Sequence, residues 1–265
     1  MKLNLVPART GVLWVRSGLK AFARQPLAFI SLFFFFMALV SIASQLPLVG
    51  AAIALMLLPT MTLGLMAAAQ QAAGPEKPAA GTVFLAALNA IRADVRPMAV
   101  LGALYAGLFL GVMAISALAD GGQFARVYLL GGPLTRELAE STEFQVALWI
   151  AMGLYLPLSL AFWHAPALVH WHRVPPAKSL FFSFVACFKN FGALTVFGLA
   201  WVGVFIGAGI VLSLLASLLV AVGAMGAGDG AAAIGGAMMI AGALVMAAMF
   251  FTSTWFTFRD SFQAE

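Results

Sequence analysis

ALTVFGLAWVGVFIGAGIVLSLLASLLVAV, residues 193–222, runs for 30 residues without one Asp, Glu, Lys, Arg or His. About 20 apolar residues, at about 1.5 Å each, are enough to cross the hydrocarbon of a bilayer as a helix. Strands of a membrane barrel alternate apolar with polar over roughly ten residues, and this run is continuously apolar, so it reads as helix. It is longer than an upright crossing needs, which predicts that it tilts, bends or protrudes.

Five more uncharged runs flank it: Leu27–Ser44, Leu48–Ala69, Met98–Ala119, Val146–Trp163 and Ala231–Phe251. The first and fourth are short, and Gln45, Gln145 and His164 are expected beside them at headgroup depth. The composition agrees, with 63% hydrophobic and 9% charged residues and a mean hydropathy of +1.04. Soluble domains carry about 25% charged residues. So small a polar complement cannot cover a water-facing surface of this size, so the apolar excess faces lipid. The predicted fold is therefore all-α, a polytopic membrane bundle of six transmembrane helices, read as one integral membrane domain over 1–265.

Cations decide orientation, because Lys and Arg are retained on the cytoplasmic side. Lys2, Arg9, Arg16, Lys20 and Arg24 precede the first run; Lys77, Arg92 and Arg96 follow the second; Arg173, Lys178 and Lys189 follow the fourth; Arg259 follows the sixth. Only Arg126 and Arg136 lie on the other side, in the connection 120–143, where Asp120, Glu137, Glu140 and Glu143 outnumber them. Both termini are thus expected in the cytoplasm and the 120–143 loop outside. The same pattern reads the net charge of +5 as topology rather than nucleic-acid binding. A cleavable signal peptide ending near Ile42-Ala43-Ser44 competes with an uncleaved hairpin; the long basic segment 1–26 and the immediate second run favour the hairpin.

Three short segments resemble one another: SGLKAFARQPLAF (17–29), LAALNAIRADVRPMAV (85–100) and SFVACFKNFGALTVF (183–197). Each reads as an amphipathic interfacial helix whose apolar side lies on the headgroup boundary while cations meet phosphates. The expected unit is an interfacial helix plus a transmembrane hairpin, used three times. Chance likeness between apolar segments is the competing explanation. Arg16, Lys20, Arg24, Arg92, Arg96, Lys178 and Lys189 are the expected headgroup contacts.

Other features carry less. The six runs hold no ionisable residue, whereas coupled transporters usually place such groups, or broken helices, around a substrate. His164 and His170 are six residues apart, about 600° around a helix, which is poor chelating geometry. With Trp163 and Trp171 they read as an interfacial belt, and a haem ligand at His164 is the minor alternative. Pro59 and Pro157 are expected helix kinks, with Thr60, Thr62 or Ser159 re-satisfying freed backbone groups. The pairs Gly107/Gly111 and Gly203/Gly207 are expected to pack the bundle, the latter bending the fifth helix. PLTRELAESTEF (133–144) reads as a solvated loop, with a surface helix beginning at Pro133 as the alternative. MGAGDGAAAIGG (225–236) reads as a tight external turn. Cys187 is expected to pack, with acylation the alternative. A single cysteine precludes an intrachain disulfide. No catalytic, cofactor or metal site is expected.

The opening MKLNLVPARTGVLWVRSGLKAFARQPLAF, followed by FFFFMALVS and LLPTMTLGLM, resembles a family of betaproteobacterial six-helix inner-membrane proteins over the whole length. More distantly, the helix-plus-hairpin unit is similar to the membrane domain attached to some glycerophosphodiester phosphodiesterases. The resemblance implies a multi-pass inner-membrane location and bacterial origin; with no catalytic barrel present, it implies no activity and no site residues. The expected role is non-enzymatic, a lipid- or protein-binding membrane component. The alternative is a transporter or channel for a small or apolar solute. The bilayer and a membrane-protein partner are the expected partners, and nucleic acid and cofactors are not.

Overall fold

The computed structural model describes residues 2–47, 49–222 and 229–263. Among them the chain forms twelve helices: α1 Thr10–Arg24, α2 Pro26–Ser44, α3 Gly50–Ala72, α4 Ala80–Ala93, α5 Val95–Asp120, α6 Gln123–Leu130, α7 Arg136–Glu140, α8 Thr142–Trp163, α9 Ala165–His172, α10 Pro176–Lys189, α11 Phe191–Ala221 and α12 Asp229–Ser261. Six stretches are long and apolar enough to cross a membrane, carried by α2, α3, α5, α8 with α9, α11 and α12. The all-α polytopic bundle is therefore the observed class.

The spans are longer than the uncharged runs because a helix does not stop where charge begins. α12 continues ten residues beyond Phe251, through TSTWFTFRDS. Thr252, Ser253 and Thr257 are buried there. Their hydroxyls donate to the carbonyls of Ala248, Phe250 and Thr254 one turn back. Each polar side chain is satisfied by its own helix, so the segment tolerates an apolar surround. At the other end, Asp229 to Gly236 is helical, not the tight turn expected; the preceding part of that segment, 223–228, lies outside the described residues, as does Leu48.

The connection 120–143 is also more structured than a solvated loop. The Asp120 carboxylate accepts from the backbone N–H of Gly122 at 2.8 Å and of Phe124 at 2.6 Å, opening α6 after two left-handed glycines, Gly121 and Gly122. Thr135 and Ser141 cap α7 and α8 by accepting from Leu138 N and Phe144 N. The alternative reading, a short helix from Pro133, is the one present, and it begins at Arg136, where a side-chain cap exists.

By contacts the chain divides into two compact units. The first comprises Met1–Phe34, Leu65–Ala87 and Asn190–Glu265. Here α1 buries Gly11, Trp14, Val15, Gly18, Ala21 and Phe22, one stripe at helical spacing. A Cβ on Gly11 would strike the backbone of Ala193 and Phe197, and one on Gly18 would lie 2.6 Å from Ser253 Cα. Missing side chains are what let α1 approach α11 and α12. The Trp14 ring meets Phe197 edge-on at 6.1 Å and its Nε1 donates to Asp260 at 2.9 Å. Lys2–Leu3 and Phe262–Gln263 form a two-residue antiparallel ladder, β1 and β2, which joins the two ends of the chain and puts them on one face, as an even number of crossings requires.

The second unit comprises Phe35–Gly64 and Leu88–Lys189. α5 packs along α8, with Tyr105 edge-on to Phe162 at 5.0 Å and Phe109 edge-on to Tyr155 at 5.9 Å. Gly102 lets α5 approach the backbone of Met56 in α3. The glycine pairs singled out in the sequence do not play that role: a Cβ at Gly107, Gly111, Gly203 or Gly207 would meet open space. In lipid, apolarity does not mark which helix face packs, so spacing alone selected the wrong glycines.

Candidate lipid-headgroup site

Each segment singled out as a repeat has the same local architecture: a short amphipathic helix, one polar residue outside the helix, then a span. The polar residues are Gln25 between α1 and α2, Asp94 between α4 and α5, and Asn190 between α10 and α11. The backbone turns there without losing its bonds. Asp94 O accepts from Met98 N at 2.9 Å and Asn190 O from Leu194 N at 3.1 Å, starting the next helix.

The side chains of these three residues fasten each joint to the chain segment at the end of the second span of the same hairpin. Gln25 Nε2 donates to Pro78 O, and Arg24 beside it donates to the carbonyls of Ala72, Gly74 and Pro75. Asp94, 4% exposed, pairs with His170 and with Arg173 at 2.9 Å. Asn190 accepts from Val6 N at 3.0 Å and donates to Asn4 O at 3.0 Å and Ser261 Oγ at 3.3 Å. The threefold pattern was visible in sequence, but this knot residue was missed. Its signal was present: one short polar residue at the same place in all three aligned segments.

The joints set the positions of the cations. Arg16, Lys20, Arg92, Arg96, Lys178 and Lys189 are exposed, while Arg24 is half-buried against the carbonyls it caps. Across the same three helices the opposite stripe is buried: Val83, Ala87 and Ala90 in α4, and Ser179, Ser183, Ala186 and Cys187 in α10. Each short helix thus presents cations outward and apolar or small residues inward.

One member of the expected belt, His164, faces the protein interior, while Trp163, His170, Trp171 and His172 are half-buried. His164 is fully buried, at the break between α8 and α9. The Ser183 hydroxyl of α10 splices that break, accepting from His164 N at 2.9 Å and donating to Leu160 O at 2.8 Å. In an unbroken helix those two backbone groups would bond each other. His164 Nδ1 lies 3.8 Å from Cys187 Sγ, and burial pushes the Cys187 thiol up to about 12. So little thiolate and no exposure argue against acylation. No cluster of three metal-ligating side chains occurs among the described residues. α3 and α8 remain helical through Pro59 and Pro157. Thr62 donates to Leu58 O, whereas the carbonyl that Pro59 frees is that of Leu55.

Helices this long and apolar, with charged side chains at their ends and in the connections, define a multi-pass membrane protein. Over 265 aligned residues, 99% of this chain and 94% of the relative, it is 37% identical to a probable inner membrane protein of Burkholderia thailandensis, and the chain belongs to that protein's family. No protein-family model matches it, and no solved structure does.

Proposed function

We propose that this protein is a non-enzymatic component of the bacterial inner membrane that gathers anionic phospholipid at the cytoplasmic leaflet. The observation that carries the reading is the set of six exposed cations, Arg16 and Lys20 on α1, Arg92 on α4, Arg96 at the start of α5, and Lys178 and Lys189 on α10, each short helix laid beside the start of a span. Cations near an anionic surface contribute about 1 kcal/mol apiece, so six exposed ones favour anionic over zwitterionic lipid several-fold even after screening.

The orientation follows from the same residues: both termini, already joined by the β1–β2 ladder, sit in the cytoplasm with the cationic joints, and α6 and α7 lie outside. A coupled transporter draws no such support, since the charged residues among the described ones lie at helix ends or in connections, not mid-span.

The test has two arms. Reporter fusions at Gln263 are expected to read cytoplasmic and insertions at Gly132 external. Lipid co-purified after gentle extraction is expected to be enriched in phosphatidylglycerol over the bulk membrane, and to lose that enrichment when Arg16, Arg92, Lys178 and Lys189 are changed to Gln. Enrichment equal in both proteins refutes the proposal.

A further inference from the structure

Between α1, the end of α3 and the end of α12 lies a groove of about 590 Å³ lined by Ser17, Lys20, Arg24, Ala72, Phe256 and Arg259. All of these belong to the first unit. Three cations from two helices face one volume, and among the described residues no carboxylate lines it. Asp260, which does not line the groove, offsets only Arg259, so the groove keeps an excess of positive charge that costs stability unless an anion joins it.

The cations are held but not saturated. Arg24 donates to the carbonyls of Ala72, Gly74 and Pro75, which uses three of a guanidinium's five N–H groups. Arg259 lies over the Phe256 ring, 4.9 Å from its centre, and its Nε donates to Asp260 at 2.7 Å. Trp14 holds the other Asp260 oxygen. Those contacts fix the guanidinium plane and leave both terminal nitrogens of Arg259 without a hydrogen-bond partner among the described residues. Lys20 is exposed and makes no hydrogen bond or ion pair among the described residues. An open guanidinium fork, an ammonium and the Ser17 hydroxyl suit an anion with several oxygens in tetrahedral array, because a fork donates two parallel bonds to a phosphate.

The groove lies where spans end: α3 and α12 finish at it, and α1 precedes the first span. That is headgroup depth, where phosphodiesters are the abundant anion. The geometry points to a single-occupancy phosphate site in this groove, with Lys20, Arg24 and Arg259 as its cations and the phosphodiester of an anionic phospholipid as its occupant. The site rests on the proposed lipid-gathering role only for the source of that phosphate. It differs in kind from the exposed rim, which attracts many lipids weakly and holds none in register.

Native mass spectrometry of the full chain, released from nanodiscs of phosphatidylglycerol and phosphatidylcholine, tests it. The wild type is expected to retain one phosphatidylglycerol. Lys20→Gln, at an exposed side chain without partners among the described residues, is expected to lower that retention about tenfold, equivalent to about 1.4 kcal/mol. Arg259→Gln is expected to do at least as much, and Arg259→Lys to fall between, since it keeps charge and loses the fork. Lys178→Gln with Lys189→Gln is expected to reduce bulk enrichment and leave the single adduct intact, which separates this site from the rim. If no lipid adduct forms but glycerol 3-phosphate raises the thermal stability of the wild type and not of Lys20→Gln, the site takes phosphate from a soluble source. Equal retention in wild type and Lys20→Gln, or no response to either probe, overturns the site.

Discussion

Asn190→Ala gives the sharpest test of how the chain ends are held. The side chain is 3% exposed and makes three hydrogen bonds, two at 3.0 Å to the segment at Asn4 and Val6 and one at 3.3 Å to Ser261. A buried hydrogen bond contributes about 1 kcal/mol net, and a stranded partner costs a further 1–3 kcal/mol. The 3.3 Å bond is weak, and Val6 and Asn4 are only half-buried, so water rescues part of what is stranded. The sum is about 2–3 kcal/mol. At 1.4 kcal/mol per tenfold, that raises the open fraction of the N-terminal segment roughly 30- to 140-fold. Hydrogen–deuterium exchange on the purified protein reads this as faster exchange in the peptide containing Asn4 and Val6, with peptides from α5 and α8 unchanged. Exchange within about threefold of wild type would show that the β1–β2 ladder and the Trp14–Asp260 bond suffice alone, and that the knot is misread.

Gly18→Ala places a methyl against the Cα and Cβ of Ser253 and is expected to cost about 1–3 kcal/mol by overpacking, seen as a lower melting temperature in detergent. Gly107→Ala, which meets open space, is expected to leave melting unchanged or raise it; the opposite ranking would refute the packing. Cys187 is expected to resist maleimide at pH 8 in the folded protein and to react after unfolding, read by intact mass. Its folded pKa of about 12 lies above the ordinary 9.0, so its contribution to stability is whole below pH 9 and is lost as pH rises toward 12. Cys187→Ala should flatten that part of the stability profile, and an unaltered slope would contradict the assignment.

The membrane class was legible because lipid imposes a coarse demand: every residue of a crossing must be apolar or satisfied by its own helix. Residues 193–222 meet it on composition alone. The ends of the spans were less legible. TSTWFTFRDS looks like a polar exit from the membrane, and only the bonds of Thr252, Ser253 and Thr257 to their own helix show why it continues as α12. The rim cations were visible as cations, but Arg24 turned out to cap carbonyls, and Arg259 with Phe256 went unnoticed because an isolated Arg near a terminus has no spacing to give it away. Packing was the least legible. Gly11, Gly18 and Gly102 are decided by the backbone that happens to oppose them, whereas Gly203 and Gly207 carry the familiar spacing and face nothing. From its neighbours His164 is expected at headgroup depth, and only the distant Ser183 explains how a helix break there can be buried.

The ladder between Lys2–Leu3 and Phe262–Gln263 sets two segments that are far apart in sequence edge to edge in space. A ribosome threading this chain releases the first strand long before the second, so the first unit stays unfinished until α12 and β2 have been made. Damage at Phe262 or Gln263 is therefore felt at Lys2 and Leu3, across the whole run of intervening helices.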